Sequence, residues 1–424
     1  MKTHYILLFL IISQGLFSQA AKSNYDETKI PAYTLPEPLQ CSDGKVIKSV
    51  ADWWNKRRPE ILHLFESQVY GRVPEAKIEA NYKIVSIKKD SFDGLATRKQ
   101  IAITLTNNKN RSITLNVLLY IPNNVTRPAP AFLGLNFMGN QSITTEKDIP
   151  ITKNYILNSK QYGINDHKAT ERTRGLKSYR WPLKEILQKG YALAACHYGD
   201  IDPDFDDGFQ NGVHPLFYRD GQNKPDADEW GSIAAWAWGL SRILDYLIMD
   251  EDIDGERVAV IGHSRLGKTA LWAGAVDRRF ALVISNDSGC GGAALSKRRI
   301  GETLEAINRN FPHWFCANFK HYNNKENELP LDQHLLIALM APRPVYIASA
   351  REDRWADPNG EFLSAFNAAP VYRLLKTDGF AVREMPAVNY PIFSRIGYHI
   401  RSGKHDLTEF DWRQYLYFAD KFLK

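Results

Sequence analysis

Apolar residues recur along this chain at two spacings, and the spacing changes from one segment to the next. Where they return every three to four positions, they predict helices with one buried face, over residues 51–70, 230–249, 269–276 and 411–423. Short runs rich in β-branched and aromatic residues predict strands, over 82–87, 97–105, 113–121, 131–135, 191–196, 257–262, 280–285 and 344–349. Because strands alternate with helices and the later strands are continuously apolar, we predict an α/β fold with a mainly parallel sheet covered on both faces.

Two segments of the chain show no clear period. Residues 140–182 are polar and long, which predicts an insertion or a lid. Residues 21–45 contain Pro31, Pro36 and Pro38, which predict an irregular arm wrapped around the domain. No internal repeat or low-complexity linker divides the remainder, so we expect a single domain over 21–424 with loop insertions.

The first twenty residues have the pattern of an export signal. Lys2 supplies a positive charge, an apolar run follows over 5–16, and the small residues Ser18 and Ala20 mark a cleavage site. That run is too short for a comfortable membrane span, and no later apolar stretch is long enough. We therefore predict a signal peptide over 1–20 and a soluble protein, secreted or periplasmic, with no membrane partner.

Composition argues against several classes of function. The 424 residues carry a formal net charge of +6 without any dense basic run, so nucleic acid is not an expected partner. The cysteines are scattered and form no CxxC pair, which argues against a zinc site and leaves their disulfide pairing open; they are Cys41, Cys196, Cys290 and Cys316. We expect neither a metal nor an organic cofactor.

The segment from residue 258 to residue 268 carries the strongest chemical signal. An apolar strand is predicted to end in a sharp turn at Ser264, and a helix follows at once. Such a turn raises a serine hydroxyl above the sheet edge, at a helix N-terminus that favours developing negative charge. The usual motif is G-x-S-x-G, but here Leu266 precedes the second glycine, Gly267. An N-cap serine on an ordinary helix is the alternative interpretation.

A nucleophilic serine requires a base and a group that orients the base. His405 lies in a loop before the last predicted helix, where the base of an α/β-hydrolase belongs, and we interpret the nearby His399 as structural. Asp287 and Asp353 each follow a predicted strand and are both candidates for the orienting acid. Each could equally be a turn or capping residue.

Five short motifs stand in a fixed order along the chain: GHSRLGK at 262–268, NDSGCGG at 286–292, GET at 301–303, WADP at 355–358 and GKH at 403–405. Together they resemble the bacterial glucuronoyl esterases of carbohydrate esterase family 15. The resemblance extends from about residue 57 to the C-terminus, nearly the whole mature chain. It implies an α/β-hydrolase, a three-layer sandwich with a mainly parallel central sheet and loop insertions.

The resemblance also implies a reaction and the residues that perform it. The family cleaves the ester between glucuronic acid side groups of xylan and lignin alcohols, so glucuronoxylan or a lignin–carbohydrate ester is the expected substrate. Ser264 would be the nucleophile and His405 the base. Arg265 would donate to the oxyanion, a role that suits a guanidinium with its fixed, charged donors.

Three further residues match positions that the family uses to bind the sugar. Lys268 lies four residues after Ser264 on the same predicted helix, so it can face the same pocket. Glu302 resembles the carboxylate that accepts a hydrogen bond from a sugar hydroxyl, and Trp355 resembles the indole that borders the uronate. Without the resemblance these would be interpreted as a solvated lysine, a charge in the first turn of a helix and a packed loop aromatic.

The sequence departs from the family pattern at two places. Fungal members carry a disulfide whose cysteines correspond to His263 and Asp406 here, so that bridge is absent and a His263–Asp406 contact is the predicted replacement. The third member of the triad varies in the family between the positions of Asp287 and Asp353. An Asp at position 287 is a methylene shorter than the usual Glu, so we favour Asp353 and keep both.

Two other functions remain open at this stage. An acetyl xylan esterase or another carbohydrate carboxylesterase would use the same serine chemistry, although a simple acetyl ester offers Lys268 and Glu302 nothing polar to bind. An inactive carbohydrate-binding relative would not need Ser264 and His405 together. We expect the protein to be a monomer.

Overall fold

The structure is a computed structural model that describes residues 23–125 and 128–424. The predicted signal peptide over 1–20 lies outside the described residues. Within them, no helix is both long and apolar enough to cross a bilayer. The four cysteines all fall in the described part of the chain and are unpaired.

The described strands form one ten-stranded sheet in the order β1-β2-β3-β5-β4-β6-β7-β8-β10-β9. The neighbours from β5 to β10 run parallel, whereas β1, β2, β3 and β9 pair antiparallel at the two edges. The bounds are β1 Ile78–Ser91, β2 Ala96–Asn107, β3 Ser112–Pro122, β4 Ala129–Asn136, β5 Ala192–His197, β6 Ile253–His263, β7 Leu282–Asn286, β8 Val345–Ala350, β9 Ile392–Phe393 and β10 Ile396–Arg401.

The central strands are buried on both sides because successive side chains enter different cores. In β6, Val258 and Val260 pack into one apolar cluster, and Ala259 and Ile261 pack into a second cluster on the opposite face. This alternation explains why the strand is apolar at every position instead of every second one. The expected α/β fold with a mainly parallel sheet is confirmed.

Helices cover both faces of the sheet. The first cluster includes side chains of α2, α4, α5, α7 and α8, and the second includes side chains of α3 and α9. The helices are α1 Val50–Asp52, α2 Arg58–Phe65, α3 Leu183–Gln188, α4 Ser232–Met249, α5 Arg265–Val276, α6 Leu304–Asn310, α7 Gln333–Ala338, α8 Pro358–Leu374 and α9 Glu409–Leu423. Two π-helical turns, Trp53–Arg57 and Glu66–Tyr70, continue α1 and α2 into the helical stretch predicted over 51–70.

The spacing of apolar residues did not predict helix α8 or strand β10. Pro370 lies inside α8, and its apolar and small residues do not follow a single stripe. All six residues of β10 are buried, among them His399 and Arg401, whose polar side chains hid the strand. His399 is held by Asp411 at 2.8 Å, in agreement with the structural role predicted for it. Residues 140–182 contain short 3₁₀ turns and one isolated β-bridge, between Ser159 and Ile164.

The parallel arrangement determines where the candidate residues meet. β6, β7, β8 and β10 are consecutive neighbours that run in the same direction, so their carboxyl ends share one edge of the sheet. Ser264, Asp287, Asp353 and His405 all follow these ends within a few residues. Four segments distant in sequence are thereby brought to one place.

Candidate active site

Ser264 occupies a strained turn between β6 and α5. Its φ of 59° and ψ of −128° lie outside the regions that L-residues favour, and such strain is characteristic of functional turns. Its N–H donates to the Asn286 carbonyl at 2.9 Å, and its carbonyl accepts from Gly267 N–H at 2.8 Å. The half-buried serine is therefore fixed at the start of α5.

Close backbone contacts explain the unusual glycine spacing around Ser264. A Cβ on Gly262 would lie 1.8 Å from the Leu266 carbonyl oxygen, so no other residue fits there. A Cβ on Gly267 would lie 3.0 Å from Ser288 Cβ and 3.2 Å from the Asn286 carbonyl oxygen. The second close approach therefore falls on Gly267, while the Leu266 side chain is buried in the core.

His405 and Asp353 are directly bonded. The His405 Nδ1 and Asp353 Oδ2 atoms are 2.6 Å apart, and the acid is buried while the histidine side chain is 41% exposed. This bond leaves Nε2 of the imidazole as the nitrogen that faces a second partner. His405 and Ser264 line the same cavity, of about 240 Å³.

Asp287 lies beside this pair but is engaged by other donors. Its Oδ2 accepts from Arg401 Nη2 and from the Asp406 N–H, both at 3.2 Å. Burial raises the pKa of Asp287 well above its usual range, against the opposing charge of Arg401. Of the two candidate acids, Asp353 is therefore the one that hydrogen-bonds to His405.

The side chains of Asp287, Asp353 and His405 each offer an oxygen or nitrogen atom that could bind a metal ion, and these atoms lie within 4.8 Å of one another. No other such group occurs among the described residues. The Arg401 guanidinium donates to Asp287 from within this group, and a fixed positive charge opposes a bound cation. The short Asp353–His405 bond already engages the other two side chains. The arrangement fits an acid–histidine pair better than a metal centre.

The predicted His263–Asp406 contact is wrong. His263 Nδ1 bonds to Asn286 Oδ1 at 2.6 Å, whereas Asp406 accepts from Arg180 Nε at 2.6 Å. The His263 ring lies 4.5 Å from the His405 ring, centroid to centroid. Burial and the nearby His405 hold the pKa of His263 well below its usual range, so it packs against the second imidazole as a neutral ring.

Arg265 reaches the cavity from inside an aromatic cage. Its guanidinium lies 4.5 Å from the Trp314 ring centroid and 5.2 Å from that of Phe311, and it pairs with Asp204. Asp204 also accepts from His313 Nε2 at 2.9 Å and from the Trp314 indole at 2.8 Å. Burial disfavours the ionised form of Asp204, but Arg265 and His313 outweigh it and lower its pKa.

Lys268, Glu302 and Trp355 form a second group that adjoins Arg265. Lys268 is buried and its ammonium donates to the Ser288 carbonyl, so it does not line the cavity of Ser264 and His405. Burial lowers the pKa of Lys268 and raises that of Glu302, while each opposes the shift of the other. The nearby Trp355 indole also opposes the rise in the pKa of Glu302, and the tryptophan is 39% exposed.

Sequence reasoning missed Glu361, a fully buried acid on α8. Its Oε1 accepts from Gly289 N–H at 2.9 Å and its Oε2 accepts from Ser349 Oγ at 2.6 Å. Burial raises the pKa of Glu361 to about 8, against the lowering effect of these hydrogen bonds. Glu361 ties the loop after β7 to the end of β8, so it joins the segments that carry Asp287 and Asp353.

Asp204 and His313 were missed as well. Both lie in loops outside the predicted helices and strands and carry no recognisable motif, so only the folded chain brings them to Arg265.

Comparisons with known proteins agree on one family. The sequence profile described as glucuronyl esterase of fungi matches residues 216–376. A carbohydrate esterase of an unknown prokaryotic organism is 48% identical over 422 residues, covering 98% of this chain and 97% of the relative. The 4-O-methyl-glucuronoyl methylesterase of Podospora anserina is 37% identical over 137 residues, 30% of this chain and 28% of its own.

Solved structures give the same result. A promiscuous esterase of carbohydrate esterase family 15 from a marine bacterial metagenome superposes with a TM-score of 0.89 and 49% identity, covering 95% of this chain and all of the other. A glucuronoyl esterase from Solibacter usitatus superposes with a TM-score of 0.87 and 45% identity, over 93% and 99% of the two chains. The chain is a carboxylic ester hydrolase. It belongs to carbohydrate esterase family 15, the glucuronoyl esterases.

We expect Gly262→Ala to be more damaging than Gly267→Ala. The first substitution puts a methyl group into the Leu266 carbonyl, and the second needs only a small shift of Ser288. Gly262→Ala should lower the free energy of unfolding by about 3 kcal/mol or more, and Gly267→Ala by about 1 kcal/mol. Urea denaturation of both variants checks the order; equal losses would contradict the packing described for the turn.

Glu361→Gln should change how stability depends on pH. The native state keeps the Glu361 proton up to a pKa of about 8, and the unfolded chain loses it near the ordinary value of 4.5. The contribution of Glu361 to the free energy of unfolding is therefore fully present below its pKa in the unfolded chain. It is lost as pH rises through the pKa in the folded protein.

A glutamine mimics the protonated acid at every pH. Between about pH 5 and about pH 9, the variant should gain on the wild type by an amount on the order of 4 kcal/mol in the free energy of unfolding. The exposed neighbour Glu352, changed to Gln, is the control and should leave the slope unchanged. Parallel slopes for Glu361→Gln and the wild type would show that Glu361 is ionised in the native state at neutral pH.

Proposed function

We propose that this protein hydrolyses esters of glucuronic acid by a serine mechanism with Ser264, His405 and Asp353 as its triad. The observation that carries the proposal is the 2.6 Å bond between His405 and Asp353, next to a cavity that His405 shares with Ser264. The family membership supports the substrate class, since related proteins are named 4-O-methyl-glucuronoyl methylesterases. Glucuronoxylan or a lignin–carbohydrate ester is the proposed natural substrate.

The mechanism is acyl transfer in two halves. His405 Nε2 accepts the Ser264 hydroxyl proton as Oγ attacks the ester carbonyl, and Asp353 holds the ring and stabilises the imidazolium. Arg265 and backbone N–H groups at the start of α5 stabilise the oxyanion. The imidazolium then returns the proton to the departing alcohol, which leaves a glucuronoyl group esterified to Ser264. Water hydrolyses that ester, with His405 again as the base.

The fixed position of Arg265 supports its role as an oxyanion donor. The aromatic cage and Asp204 hold the guanidinium in place before substrate arrives, so little reorganisation is needed when negative charge develops. Asp204 engages Nη1 of Arg265, and Arg265 also lines the cavity that contains Ser264 and His405, so its guanidinium lies at the reacting centre. A donor of this kind is worth roughly 3 kcal/mol in comparable sites.

The two sides of the scissile ester have different surroundings. Lys268, Glu302 and Trp355 supply charged donors, an acceptor and an exposed indole, a combination that suits a uronate ring. The cavity beside Ser264 has apolar walls from Phe137, Met138, Leu157 and Tyr162. We assign the first side to the sugar and the second to the leaving alcohol, which fits an aromatic alcohol.

The family resemblance and the strained serine turn support assignment to the α/β-hydrolase fold, as a three-layer sandwich. We propose that residues 21–424 form one such domain after removal of a signal peptide over 1–20, and that the mature protein is a secreted or periplasmic monomer. No cofactor enters the proposed reaction.

Ser264→Ala should abolish hydrolysis of benzyl glucuronate. Without the hydroxyl no acyl-enzyme forms, and the residual rate should be at least about 10⁴-fold below that of the wild type. Ser112→Ala, at an exposed position on β3, is the matched control and should keep full activity. Assaying methyl, benzyl and aryl glucuronate esters beside acetyl xylan tests the substrate class. Turnover that survives Ser264→Ala, or a preference for acetyl xylan, would argue against the proposal.

Asp353→Asn and Asp287→Asn distinguish the two acids. Asparagine keeps the shape of each side chain, but at 353 it cannot hold the imidazole in the required tautomer or stabilise its charge. We expect kcat to fall by about 100-fold or more for Asp353→Asn and by less than about 10-fold for Asp287→Asn. The reverse order would identify Asp287 as the working acid, and negligible losses in both would refute the triad.

A further inference from the structure

A groove lies beside the sugar-binding group, between the N-terminal arm of residues 23–31 and the body of the protein. It has a volume of about 700 Å³ and is lined by Tyr25, Lys29, Arg299, Thr303, Asn324 and Arg354, among others. We propose that this arm groove is an accessory subsite for the polysaccharide chain that carries the esterified uronate. The proposal rests on the function proposed above and extends it to a polymeric, acidic substrate.

The arm groove continues from the residues assigned to the sugar. Thr303 directly follows Glu302, and Arg354 directly precedes Trp355. The two segments are joined by a hydrogen bond of 3.0 Å from Glu302 N–H to the Trp355 carbonyl. Each segment therefore contributes one side chain to the uronate site and the adjacent side chain to the groove. A chain whose uronate lies against Glu302 and Trp355 can continue into the groove.

Buried contacts hold the arm in place. The Asn24 carbonyl accepts from Gly301 N–H at 2.8 Å, and Glu27 pairs with Arg298 at 2.8 Å. Arg298 is itself buried and pairs with Asp357, the N-cap of α8, at 2.8 Å. The groove is thus formed before ligand binds, which removes the entropic cost of ordering it.

The chemistry of the lining suits an acidic polysaccharide. Tyr25 lines the groove and is 41% exposed, and Trp355, which directly follows Arg354, is 39% exposed, so both aromatic side chains can contact sugar rings. The Arg354 guanidinium lies 5.2 Å from the Tyr25 ring centroid.

The charges of the lining residues also favour an acidic polysaccharide. Lys29, Arg299 and Arg354 are cationic, and Asp26 is the single carboxylate among the lining residues that the structure describes. Lys29 pairs with Asp26 at 3.0 Å and Arg299 with the buried Glu326 at 3.2 Å. Arg354 is exposed and donates to the Tyr25 carbonyl, and among the described residues it has no carboxylate partner. Free glucuronate groups farther along a glucuronoxylan chain would meet a positive surface here.

The test compares a short and a long substrate of the same chemistry. Benzyl glucuronate occupies only the uronate site, while glucuronoxylan with benzyl-esterified uronates also reaches the arm groove. In Tyr25→Ala and Arg354→Gln, kcat/KM on the polymer should fall roughly 5-fold, equivalent to about 1 kcal/mol, with benzyl glucuronate unchanged. The Arg354→Gln effect should disappear at high salt, because exposed charges are screened.

Matched controls use exposed side chains on α9. Tyr417→Ala and Arg413→Gln remove an exposed tyrosine and an exposed arginine far from the groove, and they should change neither substrate. An unchanged ratio of the two kcat/KM values in the arm variants would overturn the proposal. Equal losses on both substrates would also overturn it, since they would mean that the arm only supports the active site.

Failure of the proposed function has a different signature. In that case the wild type would turn over neither ester. Binding of de-esterified glucuronoxylan oligosaccharides, measured by calorimetry on the wild type and the arm variants, then tests the groove by itself. Weaker binding in Tyr25→Ala and Arg354→Gln supports the subsite, and equal or absent binding refutes it.

Discussion

The bond of 2.6 Å between His405 and Asp353 joins two loops that are separated by about fifty residues of chain, and the rest of the candidate site is arranged around it. The two loops meet because β8 and β10 are parallel neighbours whose carboxyl ends lie at the same edge. The bond fixes which imidazole nitrogen faces the cavity of Ser264. An unpaired imidazole with 41% of its side chain exposed would be free to rotate, and the serine would lose a base in a defined orientation.

A buried layer of charged groups supports this pair from below. Arg401 lies between Asp287 and Asp411 and also donates to the Asp406 carbonyl, while Glu361 joins the loops that carry the two acids. These groups are costly to bury singly, but each is matched by a donor or an opposite charge. Together these groups hold in position loops that have no regular secondary structure. Asp204 and the aromatic cage hold Arg265 in position in the same way, on the other wall of the cavity.

Much of the scaffold could be predicted from the sequence because burial leaves a strong periodic signal. Continuous apolar strands such as β6 and the amphipathic α4 were predicted to within a few residues. By contrast, β10 was missed, since His399 and Arg401 interrupt its apolar pattern although both are buried. Polar residues that are buried as pairs look like loop residues in a sequence, because their partners lie far away in the chain.

The residues of the candidate site also divide into those that a local motif reveals and those that depend on partners distant in sequence. Ser264, His405 and the two acids could be proposed because a strand–turn–helix and its neighbours leave local motifs. The choice between Asp287 and Asp353 depends on hydrogen bonds that local sequence does not encode, as does the position of Lys268 below the cavity. The packing of His263 against His405 was also out of reach, and the contact predicted in its place was wrong.

The central claim is that a glucuronoyl group is carried on Ser264 during turnover. Rapid acid quenching of the reaction with benzyl glucuronate, followed by peptide mass spectrometry, tests it most directly. The account predicts a glucuronoyl adduct on the peptide that contains Ser264, enriched when the substrate is saturating and lost on prolonged incubation. An adduct on any other residue, or turnover at full rate with no adduct at the earliest times, would contradict it.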